Sequence, residues 1–276
     1  MSHRAGNFKP LSRILAKHSK IECHLPVNYA RRPVMISQKY LEAVRGVLTH
    51  LEQTQLPAIE SAADLVVQAL THRGVVYCAE IGHGIQGDFV HRAGGLAAVQ
   101  HFSYKLDLAE KSPQCFNRQA PDRDLETIRF AVQTSNLRAG DVLMLGSVSG
   151  KNRGPVELAL ACRAKGVKTI GLTSTAYSQQ VESLHPSGKK LGEVVDVMID
   201  NGAPYGDAAV EIPGYAHKLL PVSGVSCAII GHMLWGRVME KMAVAGTPAT
   251  VFQSLNRPTG VEDLKKAEQQ YHERGY

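Results

Sequence analysis

The sequence predicts an α/β protein in which a parallel β-sheet is covered by helices on both faces. Two patterns support this fold class. Short apolar segments rich in β-branched residues, which are typical of buried strands, alternate with longer segments in which apolar residues recur at helical spacing. Such alternation favours a parallel sheet with both faces covered. The chain has 276 residues, of which 44% are hydrophobic, so it is long enough to form the core that this fold needs.

The first part of the chain predicts two helices followed by the first strands. From Ile36 to Gln55 the apolar residues fall on one helical face, and Pro57 starts a second helix that runs to about Leu70. The segment GVVYCAEI (74–81) predicts a buried strand that ends in the glycine loop GHG. The segment QGDFVHRAGGL (86–96) predicts a short helix closed by Gly94, and LAAVQHF (96–102) predicts a second strand.

The remainder continues the alternation. Residues 103–121 are expected to form an irregular surface loop. The later helices are predicted at DRDLETIRFAVQTSNL (122–137), at 155–165 and at GVSCAIIGHMLWGRVMEKMAV (224–244), with a polar, weakly helical tail at 257–276. The later strands are predicted at DVLMLG (141–146), VKTIGLTS (167–174) and VVDVMID (194–200). Ligands are expected at the carboxyl ends of these strands, since open α/β sheets bind them there.

The net charge of +6 resides in the first 34 residues. That segment carries seven Lys and Arg residues and one Glu, whereas the other 242 residues carry 24 of each sign. Three interpretations of this basic segment remain open. The first is a disordered extension, or a gene start placed too early, with Met35 as the true start. The second is a transit peptide, and the third is an arm that binds nucleic acid. Because residues 1–34 are too short for a helix-turn-helix domain, no nucleic-acid partner is expected.

The cysteines, apolar runs and histidines indicate where the protein is located and whether it binds a membrane, a metal or a cofactor. The five cysteines are scattered and odd in number, without a Cys-x-x-Cys motif, which is typical of reduced thiols in a cytoplasmic protein. No apolar run approaches the roughly 20 residues of a membrane span, so no membrane partner is expected. The histidines form no clear pair of metal ligands, and neither a metal nor a cofactor is expected.

The segment LMLGSVSGKNRGPVELAL (143–160) predicts an anion site. Its serines Ser147 and Ser149 offer hydroxyl donors, and Gly150 lets the backbone curl towards a ligand. Pro155 fits the first turn of the following helix, whose exposed N–H groups and partial positive charge favour a phosphate. The spacing matches neither a P-loop nor a dinucleotide-binding fingerprint. An ordinary turn between a strand and a helix is the alternative interpretation.

Three segments also resemble one family. The segment SVSGKNRGPVELALACRAKGVKTIGLTS resembles the Ser-x-Ser-Gly phosphosugar loop of SIS (sugar isomerase) domains. The segments HPSGKKLGEVVDVMIDNGAPYGDAAVEI and GHG…HRAGGL resemble one uncharacterised branch of that family, related to heptose-phosphate isomerases and N-acetylmuramic acid 6-phosphate etherases. The resemblance implies a flavodoxin-like three-layer sandwich with a five-stranded parallel sheet. It also implies a SIS domain over 35–256 and a homodimer that binds a phosphorylated sugar near the subunit interface.

The expected site residues fall into three groups. The phosphate-binding residues are Ser147, Ser149, Gly150 and Asn152. The sugar-binding residues are Gly82, Gly84, Thr173, Ser174, Asn201, Asp207 and Ser223. The candidate catalytic residues are His83, His232 and Asp88, because isomerisation needs a base that titrates near neutrality and a donor to the carbonyl oxygen.

Two departures from the family pattern affect the expected reaction. Gly84 stands where the family usually has a serine or threonine, and the helix after the first loop lacks the usual glutamate, leaving Asp88 as its only carboxylate. The function expected from the phosphate loop and the two histidines is isomerisation of a phosphorylated sugar or amino sugar. The two departures count against isomerisation and motivate one alternative, a non-catalytic phosphosugar sensor. A lyase or etherase that acts on a phosphosugar is the other alternative.

Overall fold

The computed structural model describes residues 35–107, 113–116 and 123–276. The interpretations of the basic segment 1–34 lie outside the described residues. The predicted loop 103–121 is described only in part: residues 103–107 have no regular structure, and Gln114–Phe116 form a single 3₁₀ turn.

In the described part of the chain, five strands form one parallel sheet. They are β1 (Val76–Ile81), β2 (Val99–His101), β3 (Val142–Gly146), β4 (Lys168–Thr173) and β5 (Val197–Asp200). Their order across the sheet is β2-β1-β3-β4-β5, and each neighbouring pair is parallel. In the register of the central strands, Met144 lies between Cys78 and Ile170. The predicted five-stranded parallel sheet is confirmed.

Helices cover both faces of the sheet. They are α1 (Ile36–Thr54), α2 (Leu56–Thr71), α3 (Asp124–Thr134), α4 (Arg153–Ala164), the single turn α5 (Thr175–Ser178), α6 (Ser223–Val244) and α7 (Gly260–Arg274). One hydrophobic core joins α1, α2 and α6 to one face, and a second joins α3 and α4 to the other. The predicted three-layer sandwich is therefore confirmed.

Strand β3 shows why the strands are almost wholly apolar. Val142 and Met144 point into the core with α1, α2 and α6, whereas Leu143 and Leu145 point into the core with α3 and α4. Successive side chains of a strand alternate between faces, so a strand covered on both faces needs apolar residues throughout. All five residues of β3 are buried.

The helix predicted over 86–96 is wrong. A 3₁₀ turn at Ile85–Asp88 is followed by irregular chain. His91 and Gly94 have left-handed backbones, with φ of 53° and 78°, which a helix cannot contain. The backbone instead pairs with residues 250–252: the N–H of Gly94 donates to the Phe252 carbonyl at 2.8 Å, and that of Ala97 donates to the Thr250 carbonyl at 3.0 Å. These distant hydrogen bonds replace those of a helix.

The structure adds one hairpin to the predicted elements and makes the predicted C-terminal tail a regular helix. Strands β6 (Ala208–Val210) and β7 (Leu219–Pro221) form an antiparallel hairpin before α6 that the sequence did not indicate. Helix α7 occupies most of the tail predicted as weakly helical, and its Ala267 packs with Ala97 and Phe252 in a small third cluster. The division of the chain at 256 stays a prediction.

Candidate functional site

A cleft lies where the carboxyl ends of β1, β3 and β4 face the first turns of α6. The cleft is narrow in this structure, with a cavity volume of about 10 Å³, enough for about one water molecule. Its lining residues are Ile81, Gly82, Ile85, Gly146, Ser147, Val148, Leu172, Ser223, Gly224 and Cys227. The fold thus brings three of the predicted site residues, Gly82, Ser147 and Ser223, to one place from distant parts of the chain.

Ser147 supplies a buried hydroxyl to this cleft. The residue is 8% exposed, and its Oγ is buried without a hydrogen-bond partner among the described residues. Its own N–H donates to the Leu172 carbonyl at 2.9 Å, which anchors the residue at the end of β3. A buried hydroxyl without a partner costs about 1–3 kcal/mol, so such a group in a cleft points to a ligand that supplies the missing partner.

The rest of the Ser-Gly loop is fixed by its backbone. The Gly150 N–H donates to the Ser147 carbonyl at 3.0 Å, and the Gly150 carbonyl accepts from the Leu191 N–H at 2.8 Å. Gly150 has a left-handed backbone with φ of 66°. Ser149 is buried, and Asn152 is the N-cap residue of α4, although its side chain makes no capping hydrogen bond. The loop therefore reaches the N-terminus of α4 in a fixed conformation, as an anion site requires.

The hydroxyls of Thr173 and Ser174, predicted to contact the sugar, bond to backbone here. Thr173 Oγ1 donates to the Val148 carbonyl at 3.3 Å. Ser174 Oγ donates to the Ala203 carbonyl at 2.5 Å and accepts from the Tyr177 N–H at 3.0 Å. In this structure both side chains hold neighbouring loops in place.

Two predicted sugar-binding residues surround the first turns of α6. One oxygen of Asp207 accepts from the N–H groups of Val222 and Ser223 at 3.2 and 2.9 Å, and the other accepts from the Ser223 hydroxyl at 2.6 Å. Asn201 is fully buried, and its side-chain nitrogen lies 3.7 Å from the Sγ of Cys227 in the cleft wall. Burial raises the pKa of Cys227 to about 11, so its thiol stays protonated at neutral pH.

The first loop is sharply turned. Gly82, His83 and Gly84 all have positive φ, at 30°, 54° and 81°. A left-handed backbone is uncommon for a residue other than glycine, and His83 adopts it between two glycines. Gly82 lines the cleft, whereas His83 and Gly84 are exposed and are not among its lining residues.

The other two candidate catalytic residues form a pair. His232 Nε2 lies 2.9 Å from one oxygen of Asp88, and Arg92 lies 2.9 Å from the other. His232 is 53% exposed in its side chain, so the pair is open to solvent. It lies on α6 nine residues beyond Ser223, about 14 Å along the helix axis, and does not line the cleft.

The sequence analysis missed a buried ionic cluster behind the Ser-Gly loop. Glu157 of α4 accepts from Arg129 at 2.6 and 3.1 Å and lies 2.8 Å from Nε2 of His185. Burial opposes ionisation of Glu157, but the hydrogen bonds from Arg129 and His185 outweigh it and hold its pKa below the ordinary value. The loop that carries His185 contacts the Ser-Gly loop, because the Leu184 N–H donates to the Lys151 carbonyl at 2.9 Å. A carboxylate within the apolar run PVELALA was the available signal.

The described residues contain neither a candidate metal site nor a candidate membrane span. Within the described ranges, no three His, Cys, Asp or Glu residues are grouped so that they could hold a metal ion. No helix in that part of the chain is both long and apolar enough to cross a bilayer.

The chain is similar to a known domain family and to proteins of other bacteria. The family model described as "SIS domain" matches residues 39–174. A UPF0309 protein of Shouchella clausii is 32% identical over 226 residues, covering 81% of this chain and 91% of that protein. A UPF0309 protein of Halalkalibacterium halodurans is 37% identical over 225 residues, covering 79% and 90%.

A solved structure was also matched. The phosphoheptose isomerase GmhA from Neisseria gonorrhoeae aligns with a TM-score of 0.49 and 15% identity, covering 74% of this chain and 96% of that chain.

Proposed function

Because the chain belongs to the family of UPF0309 proteins and its residues 39–174 match the SIS domain, we propose that its cleft binds the phosphate group of a phosphorylated sugar. The observation that carries this proposal is the buried Ser147 hydroxyl, which has no partner among the described residues. A phosphate oxygen is a strong hydrogen-bond acceptor and would satisfy it.

The surroundings of Ser147 support an anion rather than a cation. No carboxylate is among the described residues that line the cleft, and the α4 N-terminus follows the loop directly. Backbone N–H groups of a first helical turn lack partners within the helix and carry a partial positive charge. The cleft is narrow, so the sugar would extend from the phosphate towards the rim.

Titration calorimetry with the full-length chain tests this binding. Each sugar phosphate is compared with its unphosphorylated sugar, and only the phosphorylated member should bind. In Ser147→Ala the loss of a hydrogen bond to a charged group, about 1.5–3 kcal/mol, should weaken binding roughly tenfold to a hundredfold.

The matched control is Ser61→Ala. Ser61 is exposed on α2, and its hydroxyl bonds only to the Pro57 carbonyl one turn earlier. Its loss should leave the affinity unchanged. Equal binding of a sugar with and without its phosphate would overturn the proposal.

For the reaction, we propose isomerisation between an aldose and a ketose phosphate, with Asp88 and His232 as the acid–base pair. A base removes the proton from C2 and the C1 carbonyl oxygen takes up a proton. The resulting enediol is reprotonated at C1 as the C2 hydroxyl loses its proton. The contact of 2.9 Å between the two side chains supports this assignment. About 14 Å of helix separates His232 from Ser223, so the sugar would have to extend along α6, or a second subunit would have to complete the site. The homodimer also stays a prediction.

Proton exchange tests the isomerase proposal. Sugar phosphates that bind are incubated with the full-length chain in D₂O, and NMR follows deuterium entering C1 or C2. His232→Gln and Asp88→Asn should abolish exchange while binding is kept. Unchanged exchange in both variants would remove the pair from the mechanism.

One observation favours the second candidate, a phosphosugar-binding protein without turnover. Among the described residues that line the cleft, the only titratable side chain is that of Cys227, whose pKa of about 11 suits neither an acid nor a base at neutral pH. No deuterium uptake in any sugar phosphate that binds tightly would favour this candidate over the isomerase.

A further inference from the structure

We propose that Asp207 and Ser223 make the α6 side of the cleft a hydrogen-bond acceptor, so that the ligand is a phosphate ester that also presents a hydroxyl or amino group there. This inference rests on the proposed function. It assigns to Ser223, held by Asp207, the contact with a hydroxyl or amino group of the sugar, which the proposed phosphate site leaves open.

The direction of one hydrogen bond carries the inference. Ser223 Oγ lies 2.6 Å from Oδ2 of Asp207. An ionised carboxylate accepts hydrogen bonds and cannot donate them, so the proton between the two oxygens comes from the serine. A distance in this range is typical of a charge-assisted O–H···O⁻ bond. With its proton committed to Asp207, Ser223 Oγ offers a ligand only its lone pairs.

Asp207 is fixed in the orientation that this bond needs. Its other oxygen accepts from the N–H groups of Val222 and Ser223 at 3.2 and 2.9 Å. Its own N–H donates to the Pro204 carbonyl at 2.9 Å, closing a turn in which Asp207 has φ of 65°. Because the carboxylate is held on both oxygens, Ser223 is not free to turn its proton into the cleft.

The two cleft serines therefore have opposite polarity. Ser147 Oγ has no partner among the described residues and can donate, whereas Ser223 Oγ can only accept. Ser223 is 3% exposed and lines the same cleft as Ser147, so a ligand in that cleft meets both. An all-acceptor ligand would satisfy Ser147 but would place lone pairs against those of Ser223.

A matched pair of small phosphate esters isolates this effect. Glycerol 3-phosphate and n-propyl phosphate have the same carbon chain and phosphate, and only the former carries hydroxyl groups. We expect the full-length chain to bind glycerol 3-phosphate roughly five- to tenfold more tightly in titration calorimetry, the value of one net hydrogen bond of about 1 kcal/mol.

Two variants assign the preference to the pair. Ser223→Ala removes the acceptor, so the two esters should bind equally, at the wild-type affinity for n-propyl phosphate. Asp207→Asn keeps the shape and places an amide N–H against Ser223 Oγ, which releases the serine proton into the cleft. We expect this variant to bind n-propyl phosphate more tightly than the wild type and to lose the preference for glycerol 3-phosphate.

Two controls separate polarity from general damage. Ser147→Ala should weaken both esters by the same factor and leave their ratio unchanged. Ser226→Ala, one turn along α6, removes a hydroxyl that bonds to the Ser223 carbonyl at 3.1 Å and does not line the cleft, so it should keep the wild-type ratio.

Three results would overturn the inference. Equal wild-type affinities for the two esters, or an unchanged ratio in both Ser223→Ala and Asp207→Asn, would overturn the polarity argument while leaving phosphate binding intact. Failure of the wild type to bind either ester or any sugar phosphate would overturn the proposed function and this inference with it.

Discussion

At the residue scale, the Ser-Gly loop depends on Gly150, which another residue could replace only with strain. Gly150 has φ of 66°, and a Cβ added to it would lie 2.9 Å from Thr173 Oγ1, the hydroxyl that bonds to the Val148 carbonyl. The glycine is needed both for its backbone conformation and for the space it leaves. The loop is thus held in its shape from within, before any ligand arrives.

Gly150→Ala should destabilise the protein by more than the backbone strain alone. A left-handed conformation costs an alanine about 1–2 kcal/mol, and the contact with Thr173 adds to that. Urea unfolding measures the loss. The control is Gly188→Ala, where φ is 71° and a Cβ would meet nothing within 4 Å. Equal losses in the two variants would show that the Thr173 contact contributes nothing.

At the element scale, the first loop is seated on α6 through one aromatic residue. Phe89 follows the 3₁₀ turn and packs on Gly231, where an added Cβ would collide with its ring. The same ring makes edge contacts with His232 and Trp235. Packing of Phe89 on α6 therefore sets the position of the turn that carries Asp88.

Gly231→Ala and Gly236→Ala form a matched test on this one helix. At Gly231 the methyl group overpacks the core and should cost about 1–3 kcal/mol or more. At Gly236 a Cβ meets nothing within 4 Å, so alanine should stabilise the helix by up to about 1 kcal/mol. Thermal unfolding should separate the two variants. Similar midpoints would contradict the close packing of Phe89.

At the scale of the whole molecule, three carboxylates link stability to pH. Hydrogen bonds from Arg237 and Lys241 lower the pKa of Glu60 to about 2. Burial opposes ionisation of Glu157 and Asp196, but ionic partners and hydrogen bonds outweigh it and hold their pKa values below the ordinary 4.5 and 3.8. The unfolded chain takes up these protons at higher pH than the folded one does, so acid favours unfolding.

Stability should therefore be constant above about pH 5 with respect to these groups. It should fall from about pH 4.5 towards pH 2, as the carboxylates become protonated in the unfolded chain first. Urea unfolding at pH 7, 4.5 and 3 measures the slope. Glu157→Gln, which lacks one of the three groups, should be less stable at pH 7 and should show a shallower slope. An identical slope would exclude Glu157 from the linkage.

The sequence predicted the sheet well because buried strands have a plain local signature. Every residue of VLMLG in β3 is buried, and its apolar character follows directly from cover on both faces. The helix predicted at 86–96 failed because its backbone bonds to residues 250–252, a contact that local pattern does not encode. The β6–β7 hairpin was not predicted, because strands of three residues are too short to show an alternating pattern.

Three of the predicted site residues line the cleft, but the sequence did not indicate how their side chains are oriented. Ser147 and Ser223 were both expected to bind ligand, and both line the cleft. Which of them donates depends on Asp207, whose distance from Ser223 Oγ is set by the tertiary fold. The hydroxyls of Thr173 and Ser174 show the same limit, since the sequence cannot tell a hydroxyl that faces a ligand from one that bonds to a carbonyl.

The unpartnered hydroxyl of Ser147 is expected to favour ligand binding and to lower folding stability. A buried hydroxyl without a partner destabilises a fold, so the residue that we propose binds the phosphate should lower the stability of the protein without ligand. Ser147→Ala should therefore raise the free energy of unfolding in phosphate-free buffer, by up to about 1–3 kcal/mol, while it weakens ligand binding. Loss of both stability and affinity in Ser147→Ala would show that the Ser147 hydroxyl does not destabilise the protein without ligand. If the variant is instead more stable, selection for stability alone would replace Ser147, and selection for ligand binding would retain it.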